Sequence, residues 1–208
     1  MNKGLFITFE GADGCGKTTQ LKLIDEYLRG KGYKTLITRE PGAKGLGEKI
    51  REILLNYDGD VSPRCESFLF LADRAQNIDC IIKPAIEEGV IVLCDRHTDS
   101  SVAYQGYGRG LDIERINFLN NLATDGMKPD LTLVFDVDIE TSEKRVGSKK
   151  DRMEKAGREF FERVRQGYLE IAKKEPERIK VVDSTKSIDE IHQEVIKLIQ
   201  NKFNVTNI

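Results

Sequence analysis

The segment GADGCGKT, Gly11 to Thr18, constrains this chain more than any other stretch of its length. It has the spacing G-x-x-x-x-G-K-T. It lies between the apolar run LFITFE (Leu5 to Glu10) and a helical pattern beginning at Thr18. In that setting glycines let backbone N–H groups turn inward around phosphate oxygens, and the helix N-terminus adds positive potential. The expected phosphate site therefore comprises Gly11, Ala12, Asp13, Gly14, Cys15, Gly16, Lys17, Thr18 and Thr19. Lys17 is expected at the β- and γ-phosphates, and the Thr18 hydroxyl on Mg²⁺.

Two residues of the loop say more. Asp13 puts a carboxylate into a loop built to attract anions, which costs electrostatic energy unless it meets a specific partner. An acceptor hydroxyl is one such partner. Cys15 lies where a helix N-terminus can lower a thiol pKa, yet it is also simply a small residue that fits.

Short apolar runs alternate with longer helical patterns along the chain, the signature of βαβ units and a parallel sheet. Residues Leu5–Glu10, Thr35–Glu40, Val90–Asp95, Leu131–Val137 and Ile179–Asp183 read as five strands. Helical patterns run through Thr18–Arg29, Gly47–Leu55, Arg64–Glu88, Ile113–Thr124, Ile139–Arg145, Arg158–Lys174 and Ile188–Lys202. The fold class is α/β: a three-layer fold with a five-stranded parallel sheet, helices on both faces and a short lid. No repeat or flexible linker divides the 208 residues, so one domain is expected. The lid falls at about residues 145–158, where the charge run RVGSKKDRMEKAGRE interrupts the rhythm.

Composition narrows the partners. A net charge of -2 argues against a nucleic-acid polymer, whose binding needs a basic surface. No apolar run approaches the roughly 20 residues that span a bilayer. The four cysteines lack C-x-x-C spacing and only two histidines accompany them, so reduced thiols in the cytoplasm are expected rather than a zinc site.

Further chemistry lies beyond the loop. Asp95 closes the apolar strand VIVLC, where a second metal-side carboxylate belongs. Arg96 follows it, and DRHTDSSVAYQGYGRG then offers Ser100, Ser101, Tyr104, Gln105 and Arg109, a polar set around an arginine. Phe70 and Arg74 stand four apart on one helix face, so a ring can stack on a base while a guanidinium meets its edge. From spacing alone Phe70 reads first as plain core packing. No Ser–His–Asp or Cys–His set is present. A nucleoside monophosphate explains that absence: its phosphate, with a second pKa of about 6, needs no strong base. What the reaction does need is cations, and Arg39, Arg51, Arg74, Arg96, Arg145 and Arg152 supply them as a group.

The blocks EGADGCGKTTQ, TREPG, GEKIREILL, FLFLADRAQ, VLCDRHTDSSVAYQG, KPDLTLVFDV and DRMEKAGREFFERVRQGY resemble, in order, those of bacterial thymidylate kinases. The resemblance implies dTMP + ATP ⇌ dTDP + ADP with Mg²⁺. It implies that Phe70 stacks on thymine, Arg74 contacts its edge, and Ser101 and Gln105 contact the base or deoxynucleotide. Tyr104 would crowd the 2′ position, Arg51 and Arg96 would hold the acceptor phosphate, and Asp13 would meet the 3′-hydroxyl. Glu40 would lie near that site and the metal formed with Thr18 and Asp95. Lys17, Asp13, Arg96 and Arg152 are the implied catalytic set. Gly14 stands where some relatives carry arginine, so the lid cations Arg145, Lys149, Lys150 and Arg152 are the implied substitutes. REPGAK stands in place of the commoner REPGGT. A homodimer is implied, with Arg64–Glu88 as a partner-facing helix. Two alternatives differ in chemistry. A kinase for another monophosphate would share this scaffold. A nucleotide switch would carry N-K-x-D, which is absent.

Overall fold

The apolar runs form strands β1 (Phe6–Glu10), β2 (Thr35–Arg39), β3 (Ile91–Asp95), β4 (Leu131–Asp136) and β5 (Ile179–Asp183). They come from a computed structural model that describes residues 4–146 and 157–203. All pairings are parallel, in the order β2-β3-β1-β4-β5. Helices α1 (Lys17–Gly30), α2 (Leu46–Asn56), α3 (Pro63–Asn77), α4 (Lys83–Glu87) and α5 (Thr98–Ser101) belong to the first half. Helices α6 (Ile113–Ala123), α7 (Ile139–Val146), α8 (Arg158–Lys174) and α9 (Ile188–Phe203) complete the second.

Strand alternation decides which side chain meets which layer. Ile7 and Phe9 pack with Leu21, Ile24 and Leu28 of α1 and with Val195 and Ile199 of α9. Phe6 points the other way, onto Ile78, Ile82 and Val92. Each such buried aliphatic or aromatic side chain contributes roughly 1.5–3 kcal/mol. Period two places Glu10 on the side of Phe6 and Thr8, among helices rather than solvent, and it is fully buried. The strand order reverses at β1, so the phosphate loop leaves the sheet at its switch point, beside the end of β3.

Two segments differ from the sequence expectation. The pattern Arg64–Glu88 reads as one helix, whereas α3 and α4 are joined by a π-helical turn, Ile78–Ile82. Pro84 follows at the second position of α4; it has no N–H, and its ring excludes the carbonyl four residues back, so the wider turn accommodates it. The second difference is a helical stretch over residues 98–108, α5 followed by a π-helical Val102–Gly108, where sequence shows no period. Its helicity comes from packing on α8. A Cβ at Gly108 would stand 2.6 Å from Phe160, and one at Gly167 would stand 2.8 Å from Tyr107. Two glycines thus permit an approach that local propensity does not announce.

Candidate active site

The phosphate loop is formed by Gly11, Gly14 and Gly16, with φ of 136°, 75° and 88°. Gly16, the residue before α1, has no side chain to cap the first turn. Lys17 Nζ lies 3.4 Å from Asp13 Oδ1 and 3.9 Å from Asp95 Oδ1. Thr18 Oγ1 donates to Asp95 Oδ2 at 3.2 Å. Asp95 Oδ1 is buried and accepts no hydrogen bond.

Asp13 meets its partner within the protein. Burial works against its charge, but Arg96 Nη2, donating at 2.6 Å, and Lys17 hold its carboxyl well below the usual range. Cys15 is buried, and burial pushes its thiol up, which is the reverse of an activated thiolate.

Arg96 has φ 70°, a left-handed conformation costing a non-glycine residue roughly 1–2 kcal/mol. Its Nη1 donates to the Gly11 carbonyl at 2.8 Å and reaches Tyr168 Oη at 3.3 Å. Its guanidinium lies 5.1 Å from the centre of the Tyr104 ring. Strain of this kind persists where surrounding contacts over-determine the backbone, and it clusters at functional positions.

A cleft opens beside the loop. Ten residues singled out from sequence line it together: Asp13, Glu40, Arg51, Phe70, Arg74, Arg96, Ser100, Ser101, Tyr104 and Gln105. Pro41 and Leu55 complete the lining. Phe70 and Arg74 come from one face of α3; Ser100 and Ser101 come from α5, and Tyr104 and Gln105 from the π-helical stretch.

Hydrogen bonds divide these residues by task. Arg74 is 1% exposed. Its Nε donates to Glu40 at 2.8 Å and its Nη1 to Ser101 Oγ and Asn120 Oδ1 at 2.9 and 2.7 Å. Nη2 donates to the His97 carbonyl at 2.9 Å. Four of its five N–H groups are thereby committed, and one remains for a ligand. Gln105 Nε2 donates to Glu66 at 3.2 Å and Arg51 Nη1 to the Pro41 carbonyl at 2.8 Å. Glu40, expected near a metal, accepts from Arg74, Asn77 and His97 with both oxygens occupied.

Arg145 is exposed and donates to the Ser184 carbonyl at 3.2 Å, with Gly14 O at 3.5 Å. Lys149, Lys150 and Arg152 lie outside the described residues. Sequence reading missed Glu10, His97, Asn120 and Tyr168. A glutamate ending the apolar run FITFE was a usable signal for the first. Tyr168 carries none, because an aromatic at helical spacing reads as core.

The model of the family described as "Thymidylate kinase" matches residues 9–195. A thymidylate kinase of Pelotomaculum thermopropionicum is 49% identical over 199 residues, covering 94% of this chain and 92% of the relative. One from Thermoanaerobacter sp. is 45% identical, covering 95% and 98%. The crystal structure of thymidylate kinase from Ehrlichia chaffeensis superposes with a TM-score of 0.80 at 40% identity, covering 96% of this chain and 99% of that one. With a match that spans the phosphate loop, the cleft and nearly all the sheet, the chain belongs to the thymidylate kinase family.

Proposed function

We propose that this protein transfers the γ-phosphoryl group of ATP to dTMP, giving dTDP and ADP. One observation carries the reading: the cleft joins the phosphate loop to a wall bearing Phe70 and the one uncommitted N–H of Arg74. Phe70, half-buried, offers its face to thymine, and Arg74 donates to the base edge. Ser101 and Gln105 border the deoxynucleotide, Tyr104 limits room at C2′, and Asp13 lies within reach of the 3′-hydroxyl.

Arg51 and Arg96 hold the acceptor phosphate, and Lys17 with the N–H groups of the loop holds the donor. Because the acceptor oxygen is already ionised, these cations perform the catalysis by bringing two anions together and spreading the charge of the transferring group. Thr18 Oγ1 and Asp95 Oδ1, which accepts no hydrogen bond, are hard oxygen ligands that fit Mg²⁺. Among the described residues no cluster of three or more His, Cys, Asp or Glu could hold a metal alone, so phosphate oxygens would complete the site. Bound there, Mg²⁺ neutralises phosphate charge.

The chain acts as one domain whose lid, about residues 145–158, closes over ATP and excludes water. Arg152 is its leading cation. Arg152→Ala should lower kcat roughly 100-fold or more with little change in dTMP affinity, read by steady-state kinetics and calorimetry. A homodimer is supported by large apolar side chains exposed on α3 and α6: Phe68 at 52%, Phe118 at 70% and Leu122 at 69%. Sedimentation would read it directly. All four thiols are unpaired, which supports the cytoplasm as the compartment. No described helix is long and apolar enough to cross a membrane.

The deciding experiment is a coupled ADP-release assay with ATP and Mg²⁺ across dTMP, dUMP, UMP, CMP, AMP and GMP. Strong preference for dTMP is expected. Preferential turnover of another monophosphate would overturn the acceptor assignment while leaving the phosphate loop intact.

A further inference from the structure

Glu10 closes β1 directly before the phosphate loop and is fully buried. Its Oε1 accepts the backbone N–H of His97, the residue after Arg96, at 2.7 Å. Its Oε2 accepts Ser100 Oγ at 2.5 Å and Tyr168 Oη at 3.1 Å. The two hydroxyls stand 2.8 Å apart, and Arg96 Nη1 lies 3.5 Å from the first and 3.3 Å from the second. Each hydroxyl hydrogen-bonds Glu10 Oε2 and presents its oxygen to the guanidinium. A single carboxyl group thus fixes the backbone beside a left-handed arginine and orients the hydroxyls that accept from its side chain. An arginine grips phosphate through a planar fork, so the orientation of that fork decides how many bonds it makes.

We propose that Glu10 is a positioning residue for acceptor binding: through the His97 N–H and the Ser100–Tyr168 hydroxyl pair it sets the Arg96 guanidinium to receive the monophosphate. This rests on Arg96 as the acceptor-phosphate arginine. A carboxyl that merely satisfies its neighbours would, when replaced, weaken every ligand of the cleft alike. A positioning carboxyl would weaken the phosphate alone.

The test compares dTMP with thymidine, which lacks the phosphate, by calorimetry on the full chain. The proteins are wild type, Glu10→Gln, Tyr168→Phe, Arg96→Ala and the Glu10→Gln/Arg96→Ala pair, each checked for folding by circular dichroism. Glu10→Gln should weaken dTMP roughly tenfold while thymidine stays within about twofold, the loss expected for one misaligned charge-assisted bond. Tyr168→Phe should act in the same direction with a smaller effect. Adding Glu10→Gln to Arg96→Ala should cost nothing further, since both act on one interaction. Equal loss of both ligands, undiminished dTMP binding in both single variants, or a full additional loss on the Arg96→Ala background would each overturn the proposal. If Glu10→Gln fails to fold, the dTMP-to-thymidine ratio of Tyr168→Phe decides by the same criterion. Separately, full dTMP affinity in Arg96→Ala would remove Arg96 as the phosphate arginine, and the role of Glu10 with it.

Discussion

Glu10 and Glu40 lie at the ends of two parallel strands, both are buried, and both accept a hydrogen bond from His97, yet their charges are managed in opposite ways. At Glu40, burial alone would raise the carboxyl, but His97 and the Arg74 guanidinium hold it at about 2, and Asn77 donates as well. At Glu10, burial and then the charge of Asp99 push the carboxyl to about 7, against hydrogen bonds from Ser100 and His97. The comparison separates two ends of the cleft. The base end is a buried ion-pair network in which Arg74, His97 and Asn77 all hydrogen-bond Glu40. The phosphate end holds its arginine, Arg96, on the Gly11 carbonyl, two hydroxyls and a partly exposed aspartate, so its ion pair is open to an incoming anion. Rigidity serves recognition of a neutral base, and a less committed cation serves a phosphate.

The largest break in this contrast comes from Arg74→Ala, which leaves the Glu40 carboxylate buried without its cation. A loss of about 3–5 kcal/mol is expected, measured by urea unfolding. Arg96→Ala should cost far less stability and mainly affect dTMP binding.

A pH series sharpens the contrast next. Native Glu10, at about 7, keeps a proton that an unfolded glutamate releases near 4.5. The native state therefore binds more protons across that window, and stability falls as pH rises through it, by on the order of 1–3 kcal/mol. Asp73, raised to about 7 chiefly by burial, adds a slope of the same sign. Glu10→Gln should remove its own share and flatten the profile, whereas Glu40 contributes stability above pH 4.5 that is lost only as pH falls toward about 2. An unchanged slope in Glu10→Gln would refute the assignment.

Phe70→Ala should weaken dTMP by about 1–2 kcal/mol through lost stacking, with a smaller effect on stability, since the ring is only half-buried. The smallest signal is an absence. Cys94 Sγ donates to the Arg96 carbonyl at 3.0 Å between the two carboxylates, and burial with their charge pushes its thiol up. Ellman's reagent should therefore titrate Cys65 and Cys80, which are exposed, and leave Cys15 and Cys94 unreacted in the native protein.

Much of this was legible in the chain. The central strands β1, β3 and β4 were readable because each is covered on both faces and so carries a near-continuous apolar run, and the edge strands β2 and β5, where Ile37 and Val181 are exposed, were readable from their β-branched residues. The loop was readable because phosphate chemistry demands glycines, a lysine and a hydroxyl at fixed spacing. The helical stretch carrying Ser100 to Gln105 was not, because its helicity depends on Gly108 and Gly167 admitting two segments to contact. Residue identity likewise nominated the ten cleft residues but not their partners. Asp13 was matched from sequence to a ligand hydroxyl, and the structure pairs it with Arg96.

The sequence by itself determined the fold class, the phosphate loop and the family, because local pattern and ordered motifs are short-range properties. Only the tertiary structure decided which of two similar glutamates stays ionised and which arginine stays available. A buried charge is set by the neighbours within a few ångströms, and those come from segments as far apart in the chain as Glu10 and Tyr168.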